Sequence, residues 1–353
     1  MDCGPCSPRP KFGTDSPRRV VDSWSRNLTY IRTLRPWAHF WVAEMQLWAS
    51  TKWRKVSGKR IATEPAREHS AALWRCRNQE GQSMRSEGRQ HVDTILPDDR
   101  KVLEAEFHDR LRDPALRKDP QIYAKLTSNK KWYSVTRKSR MFTENFLRQH
   151  AKGAQSLDYA CGDGYYSLLM AEAGADTTGI DISEVSVRNA AEEARRRGLK
   201  ADFVVMDCEQ LEFPDAMFDL INVNGVLHHL DLSRAFPELA RVLKPSGSII
   251  CVEALAHNPV FQTYRRLTPH LRTEFETEHI LRRRDVMKAR DFFNRVECRF
   301  FHLASLAAVP FRKSPVFEPL LSSLELVDNG LMRLPGVRWW AWQIGFVLSE
   351  PKH

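Results

Sequence analysis

Residues 157–166 read "LDYACGDGYY". A short apolar run leads into two glycines, Gly162 and Gly164, that flank an acid, and a second apolar run follows. Glycine permits positive φ and a close backbone approach to a ligand. In an open α/β sheet, ligands bind where strands end and the strand order reverses. The stretch therefore reads as a nucleotide-binding turn. It departs from a dinucleotide fingerprint, which needs a third glycine three residues on, where this chain has Ser167. Asp158, four residues before Gly162, would repel a pyrophosphate and suits a ligand with a cationic end, such as an amino group beside a sulfonium.

Working outward, strands and helices alternate. "SLDYA" precedes helix "YYSLLMAEAG". "DTTGID" precedes helix "SEVSVRNAAEEARRRG", with Ser183 as N-cap and Gly198 as terminator. Strands "ADFVVMD" and "FDLINVNG" follow, then helix "LSRAFPELARVLKPSG" with Pro245 and Gly247 as stop signals, then strand "GSIICVEAL". Later, "RRRDVMKARDFF" reads as helix, and "NRVECRFFHLASL" and "VRWWAWQIGFVLSE" read as strands. This order predicts an α/β, Rossmann-like, doubly wound sheet of seven mostly parallel strands with helices on both faces. Upstream, "DDRKVLEAEFHDRLRD" reads as a charged helix with Val102, Leu103, Phe107 and Leu111 on one side.

Acids close three successive strands: Asp158 in the first, Asp181 in the second and Asp207 in the third. A carboxylate at the second strand end can accept both hydroxyls of a ribose. One at the third can accept from an adenine amino group. The ribose contact by itself leaves nicotinamide cofactors and S-adenosylmethionine both open.

These motifs resemble a family. "LDYACGDG", "GIDISEVSVRNA", "FVVMDCEQLEFPDAMFDLINVNGVLHHL" and "ELARVLKPSGSIICVE" are together similar to the class I S-adenosylmethionine-dependent methyltransferases, in the type 11 small-molecule branch. The resemblance runs from Leu157 to Val252, about a hundred residues. It implies S-adenosyl-L-methionine as cofactor. Asp158, Ala160, Cys161, Gly162 and Gly164 would hold the methionine part. Asp181 and Ile182 would hold the ribose, Asp207 and Cys208 the adenine, and Asn224 the methyl-donor side. The family more often has glycine where this chain has Ala160.

Methyl transfer to oxygen or nitrogen calls for a base near neutral pH. His228 and His229, after the fourth strand, and Glu253, ending the fifth, are the candidates. The polar segment 255–282 is read as the specificity insert. Its His257, Tyr264, Arg265, His270, Arg272 and His279, with Tyr123 and Tyr133 ahead of the turn, are candidate acceptor contacts. Arginine and histidine beside a cleft suit a small acceptor carrying a carboxylate or phosphate; ion pairs on a solvated helix face would look the same. Alternatives of another class are an NAD(P)-dependent oxidoreductase and a module that binds S-adenosylmethionine without turnover.

Composition bounds the rest. The net charge of the 353 residues is +10, but residues 1–83 hold 15 Lys and Arg against 7 Asp and Glu, leaving 39 against 37 downstream. A basic field that would steer the α/β part onto nucleic acid is therefore absent. The seven cysteines are scattered and suit reduced thiols in a cytoplasmic protein. Cys3 and Cys6 form a CxxC without a second pair. No histidine and carboxylate set shows metal-ligand spacing, so no metal is expected. No apolar run reaches membrane-spanning length. Residues 1–83, rich in Trp, Arg and Ser without periodicity, are expected to be a disordered or non-native leader. Residues 84–150 are expected to form a helical cap, and 151–353 the cofactor-binding domain.

Overall fold

A computed structural model describes residues 97–113, 115, 121, 123, 124, 127–268, 271, 275 and 279–352. The expected leader, together with His270 and Arg272, lies outside the described residues.

The first described element is helix α1, Pro97–Arg112. A 3-10 helix at Ser128–Val135 leads into α2, Arg137–His150. The βα alternation begins with β1, Gln155–Tyr159, and α3, Tyr165–Glu172. It continues with β2, Asp176–Asp181, and α4, Glu184–Arg197. Strands β3, Ala201–Val205, and β4, Phe218–Asn224, lead to α5, Leu232–Val242. Next are β5, Leu243–Ala254, α6, Pro259–Leu267, and α7, Arg283–Lys288. The chain finishes with β6, Phe293–Phe301, α8, Phe317–Leu331, and β7, Gln343–Pro351.

The seven strands form one sheet in the order β3-β2-β1-β4-β5-β7-β6. All neighbours are parallel except β7, which inserts antiparallel between β5 and β6. The strand order reverses between β1 and β4, so the carboxyl ends of these two strands diverge and open a crevice. β1 and β4 are buried on both faces, as central parallel strands must be. Period-2 alternation divides their side chains. Ile221, Ile249 and Cys251 pack with α5 through Phe236 and Leu239. Leu220 and Ile250 face the other way, onto Leu147 of α2 and Leu169 and Met170 of α3.

The caps of α4 are local chemistry. Ser183 Oγ accepts from the Ser186 N–H, and Gly198 ends the helix at φ 66°. Elsewhere the observed elements correct the expectations. Helix α5 stops at Val242, and "LKPSG" enters β5 through a register irregularity beside Phe218. The last strand begins only at Gln343, because residues 337–340 form a 3-10 turn that buries Trp339. Helix α8, in a region for which no pattern was read, encloses a third apolar cluster with Trp132, Phe261, Leu306 and Trp342.

Candidate functional site

The turn after β1 is a run of left-handed residues. Ala160, Gly162 and Gly164 have φ of 60°, 53° and 79°. A Cβ on Gly164 would lie 2.8 Å from the Ala190 Cβ of α4, so the turn and α4 approach as closely as two backbones allow. Asp181, at the end of β2, anchors the turn. Its Oδ2 accepts from the Gly162 N–H at 2.9 Å and its Oδ1 from the Ser183 N–H at 2.9 Å. A carboxylate offers about four acceptor positions, so each oxygen retains capacity toward the crevice, which Asp181 lines.

Asp158 does not reach the crevice. It is 1% exposed, and its oxygens accept from Ser167 Oγ at 2.6 Å and Asn222 Nδ2 at 2.7 Å. Burial raises its carboxyl above the ordinary range. Here Asp158 ties β1, α3 and β4 together beneath the turn, rather than lining the crevice where the amino end of a ligand was expected. Ser167, where a dinucleotide fingerprint has glycine, is fully buried and its hydroxyl is spent on that tie. The Cys161 and Cys208 thiols are pushed up by burial and stay protonated.

At the next strand ends, Asp207, Cys208 and Asn224 line the crevice with Ala160, Ile182, Gly225, Val226 and His229. Glu253 is 1% exposed. Its Oε1 accepts from the backbone N–H groups of Val226 and Leu227, both at 2.8 Å, and its Oε2 lies 2.7 Å from His228 Nδ1. The carboxylate accepts, so Nδ1 carries the hydrogen and Nε2 is the basic nitrogen. Glu253 thus clamps the loop after β4 and sets a histidine tautomer; it does not itself line the crevice.

Helix α1 lies across the opening. Its crevice face is Arg100, Lys101, Glu104, His108 and Arg112. Val102 and Leu103, on the apolar side read from the sequence, are 57% and 49% exposed. The polar face is inward because it meets acids at the strand ends. Arg100 pairs with Glu209 and Lys101 with Asp207. Asp109 accepts from Ser183 Oγ and from the Val185 N–H, capping α4 from outside. The Arg112 guanidinium sits over Gly162, at 3.0 Å from where a Cβ would be. Burial, and next the Arg112 charge, push the His108 imidazole down to about 3. The signal for α1 was the i, i+4 pair Glu104 and His108, which hydrophobic periodicity passed over.

The remaining candidates are not gathered here. Tyr133 is 55% exposed and meets Trp342 edge-on. Tyr123 lies beside Lys130. Tyr264 packs against Trp132 and Phe261, and Arg265 is buried on the same helix. His257 lies edge-on to Trp339, its pKa lowered by burial. His279 is exposed and stacks on Phe275. A larger groove of about 670 Å³ between α2, β6 and α8 contains no residue from the ends of β1–β4.

The groups at the crevice fit a nucleoside cofactor: Ala160 of the turn, one carboxylate with spare acceptor capacity on β2, and a second after β3, whereas Cys161, Gly162 and Gly164, expected at the cofactor, do not line it. The enclosed volume under α1 is about 110 Å³, whereas small-molecule sites span roughly 300–1,000 Å³. In this structure α1 fills part of the space that a nucleoside-sized ligand would take.

Residues 157–251 match the family model described as "Methyltransferase domain". The demethylmenaquinone methyltransferase of Bacillus licheniformis is 30% identical over 129 residues, which cover 35% of this chain and 52% of that protein. The ubiquinone biosynthesis O-methyltransferase of Maricaulis maris is 35% identical over 102 residues, 28% of this chain and 40% of that protein. The chain thus spans about half the length, or less, of these curated relatives. Among solved structures, the geranyl diphosphate C-methyltransferase of Streptomyces coelicolor A3(2) aligns with 60% of this chain and 79% of its own, at 14% identity and a TM-score of 0.44.

Proposed function

We propose that the chain, which matches the methyltransferase-domain family through residues 157–251, is a class I S-adenosylmethionine-dependent methyltransferase that methylates a small molecule at oxygen or nitrogen. The observation that carries this reading is the crevice at the ends of β1–β4, which Asp181, Asp207 and Ala160 of the left-handed turn line together. When bound, S-adenosylmethionine supplies a methyl group on a positively charged sulfur. The chain's task is placement, which can account for much of the rate of such a displacement.

In this reading Asp181 accepts from the ribose hydroxyls while its backbone donors hold it still. Asp207, now paired with Lys101, would accept from the adenine amino group when the cofactor is bound. Ile182 and Cys208 give the base apolar walls. The loop 224–229, fixed by Glu253, forms the acceptor side. His228, held by Glu253 through Nδ1, does not line the crevice; the base role expected for it needs a loop rotation that presents its Nε2 to the acceptor. No described arginine of the insert lines the crevice, so an anionic acceptor gains no support from that segment. One relative is named for demethylmenaquinone and the other for ubiquinone biosynthesis, and quinone-type ring acceptors are the class to assay first.

Calorimetry with S-adenosylhomocysteine and NADH tests the cofactor reading on the full chain. Binding of the first and none of the second is expected; NADH binding more tightly would overturn it. Transfer of labelled methyl to hydroxylated quinone precursors tests the acceptor class.

A further inference from the structure

Glu104, His108 and His229 converge inside the crevice. Glu104 and His108 are four residues apart on α1, one helical turn, so they share a face. His229 reaches them from the loop after β4, more than 120 positions along the chain. They form the one group of three histidine or acidic side chains, among the described residues, whose ligand atoms all lie within 4.8 Å of one another. Glu104 Oε2 is 3.2 Å from His229 Nδ1 and 3.7 Å from His108 Nε2. The two imidazoles face each other edge-on, centroids 5.5 Å apart.

These distances have a chemical meaning. Nitrogen and oxygen ligands bound to zinc at about 2.0–2.1 Å in a tetrahedron stand roughly 3.3–3.4 Å from one another. The observed separations bracket that edge length. Two histidines and one carboxylate are also a donor set of catalytic zinc sites, in which the fourth position stays open. All three residues line the crevice, so the open position faces it.

Three basic side chains border the cluster, and two of them are paired with acids. The basic neighbours Arg100 and Lys101 are engaged by Glu209 and Asp207, and Arg112 lies 4.0 Å from Asp163. Arg100 Nη1 also donates to the His229 carbonyl at 2.9 Å, which holds that residue's backbone from outside the cluster.

We propose that Glu104, His108 and His229 bind one divalent transition-metal ion of the zinc type, which clasps helix α1 to the loop after β4 and leaves a coordination position open to the crevice. The site does not depend on the methyltransferase reading, since its ligands and geometry stand without a cofactor.

The test uses the full chain, stripped with chelator and titrated with Co2+ and then with Zn2+ alone. One equivalent of Co2+ with the intense visible bands of a four-coordinate nitrogen and oxygen site is expected, displaced by Zn2+. Because Cys3 and Cys6 could capture metal themselves, the same titration is run on Cys3→Ser/Cys6→Ser, which should keep the spectrum. Glu104→Gln, His108→Gln and His229→Gln should each weaken Zn2+ binding at least tenfold. The proposal is overturned if the wild-type chain shows no stoichiometric visible band, if the band vanishes with the two cysteines, or if the histidine variants bind Zn2+ unchanged. S-adenosylhomocysteine affinity, measured on the metal-free samples, separates failure of this site from failure of the cofactor reading; with Zn2+ bound, α1 is held in place over the crevice and that affinity should fall.

Discussion

Ala160 sits at φ 60°, in the left-handed region that costs an L-residue roughly 1–2 kcal/mol. Glycine would be strain-free there, though its unfolded chain has more freedom to lose. Ala160→Gly should therefore raise stability by about 0.5–1 kcal/mol, read as a higher urea midpoint at unchanged slope. A lower midpoint would mean that the Ala160 methyl earns more from packing than its backbone loses. Asp181 serves two roles, holding the Gly162 and Ser183 N–H groups and facing the crevice. Asp181→Ala should weaken S-adenosylhomocysteine binding by about 1.5–3 kcal/mol, the range for hydrogen bonds to a charged group. Unchanged affinity in calorimetry would place the ribose elsewhere.

At the scale of elements, α1 decides whether the crevice is open. Its grip is polar: Lys101 on Asp207, Arg100 on Glu209 and Asp109 on the start of α4. The Lys101–Asp207 pair is partly exposed, so its worth is modest, about 1 kcal/mol or less. Breaking it frees the acid that the adenine would use. Lys101→Ala should therefore tighten S-adenosylhomocysteine binding by up to about fivefold and speed its association. Weaker binding would show instead that Lys101 is a ligand contact. The direction of α1 was not legible from its sequence. Val102, Leu103 and Phe107 suggest an apolar inner face, but the partner surface is a row of strand-end acids, and charge complementarity outweighs the few apolar side chains.

Across the molecule, the third apolar cluster ties the C-terminal half to the segment before β1. It is joined to the main sheet through His302, which is 2% exposed at φ 65°. Its Nε2 lies 3.0 Å from Ser139 Oγ, which in turn donates to Gln343 Oε1. Burial pushes this imidazole down from 6.5 to about 3. The folded state therefore excludes a proton that the unfolded state binds below pH 6.5. Stability is fully present above that pH and falls as pH drops toward 3, at up to about 1.4 kcal/mol per pH unit. Between pH 7 and pH 5 the loss from His302 should be about 2 kcal/mol. His302→Gln should flatten this part of a stability profile measured by denaturant at several pH values; an unchanged profile would mean that His302 does not control it.

The order of strands and helices from Gln155 to Val242, the caps Ser183 and Gly198 and the glycine turn were legible because each is written in neighbouring residues: period-2 runs, a hydroxyl before a helix, a glycine where φ is positive. The acids at the strand ends were legible as residues, but not the direction each would face. Asp158 turned inward because Ser167 and Asn222 offer it donors in the core, and Asp181 stayed at the rim because the Gly162 and Ser183 N–H groups hold it there. The reversal of strand order and the antiparallel insertion of β7 belong to pairing between distant segments. So does the meeting of Glu104 and His108 with His229. The chain by itself determined the local elements and the chemistry it carries to the crevice. Only tertiary packing decided which of those groups face it, because burial and partner charge, not sequence spacing, set where a side chain finds its lowest free energy.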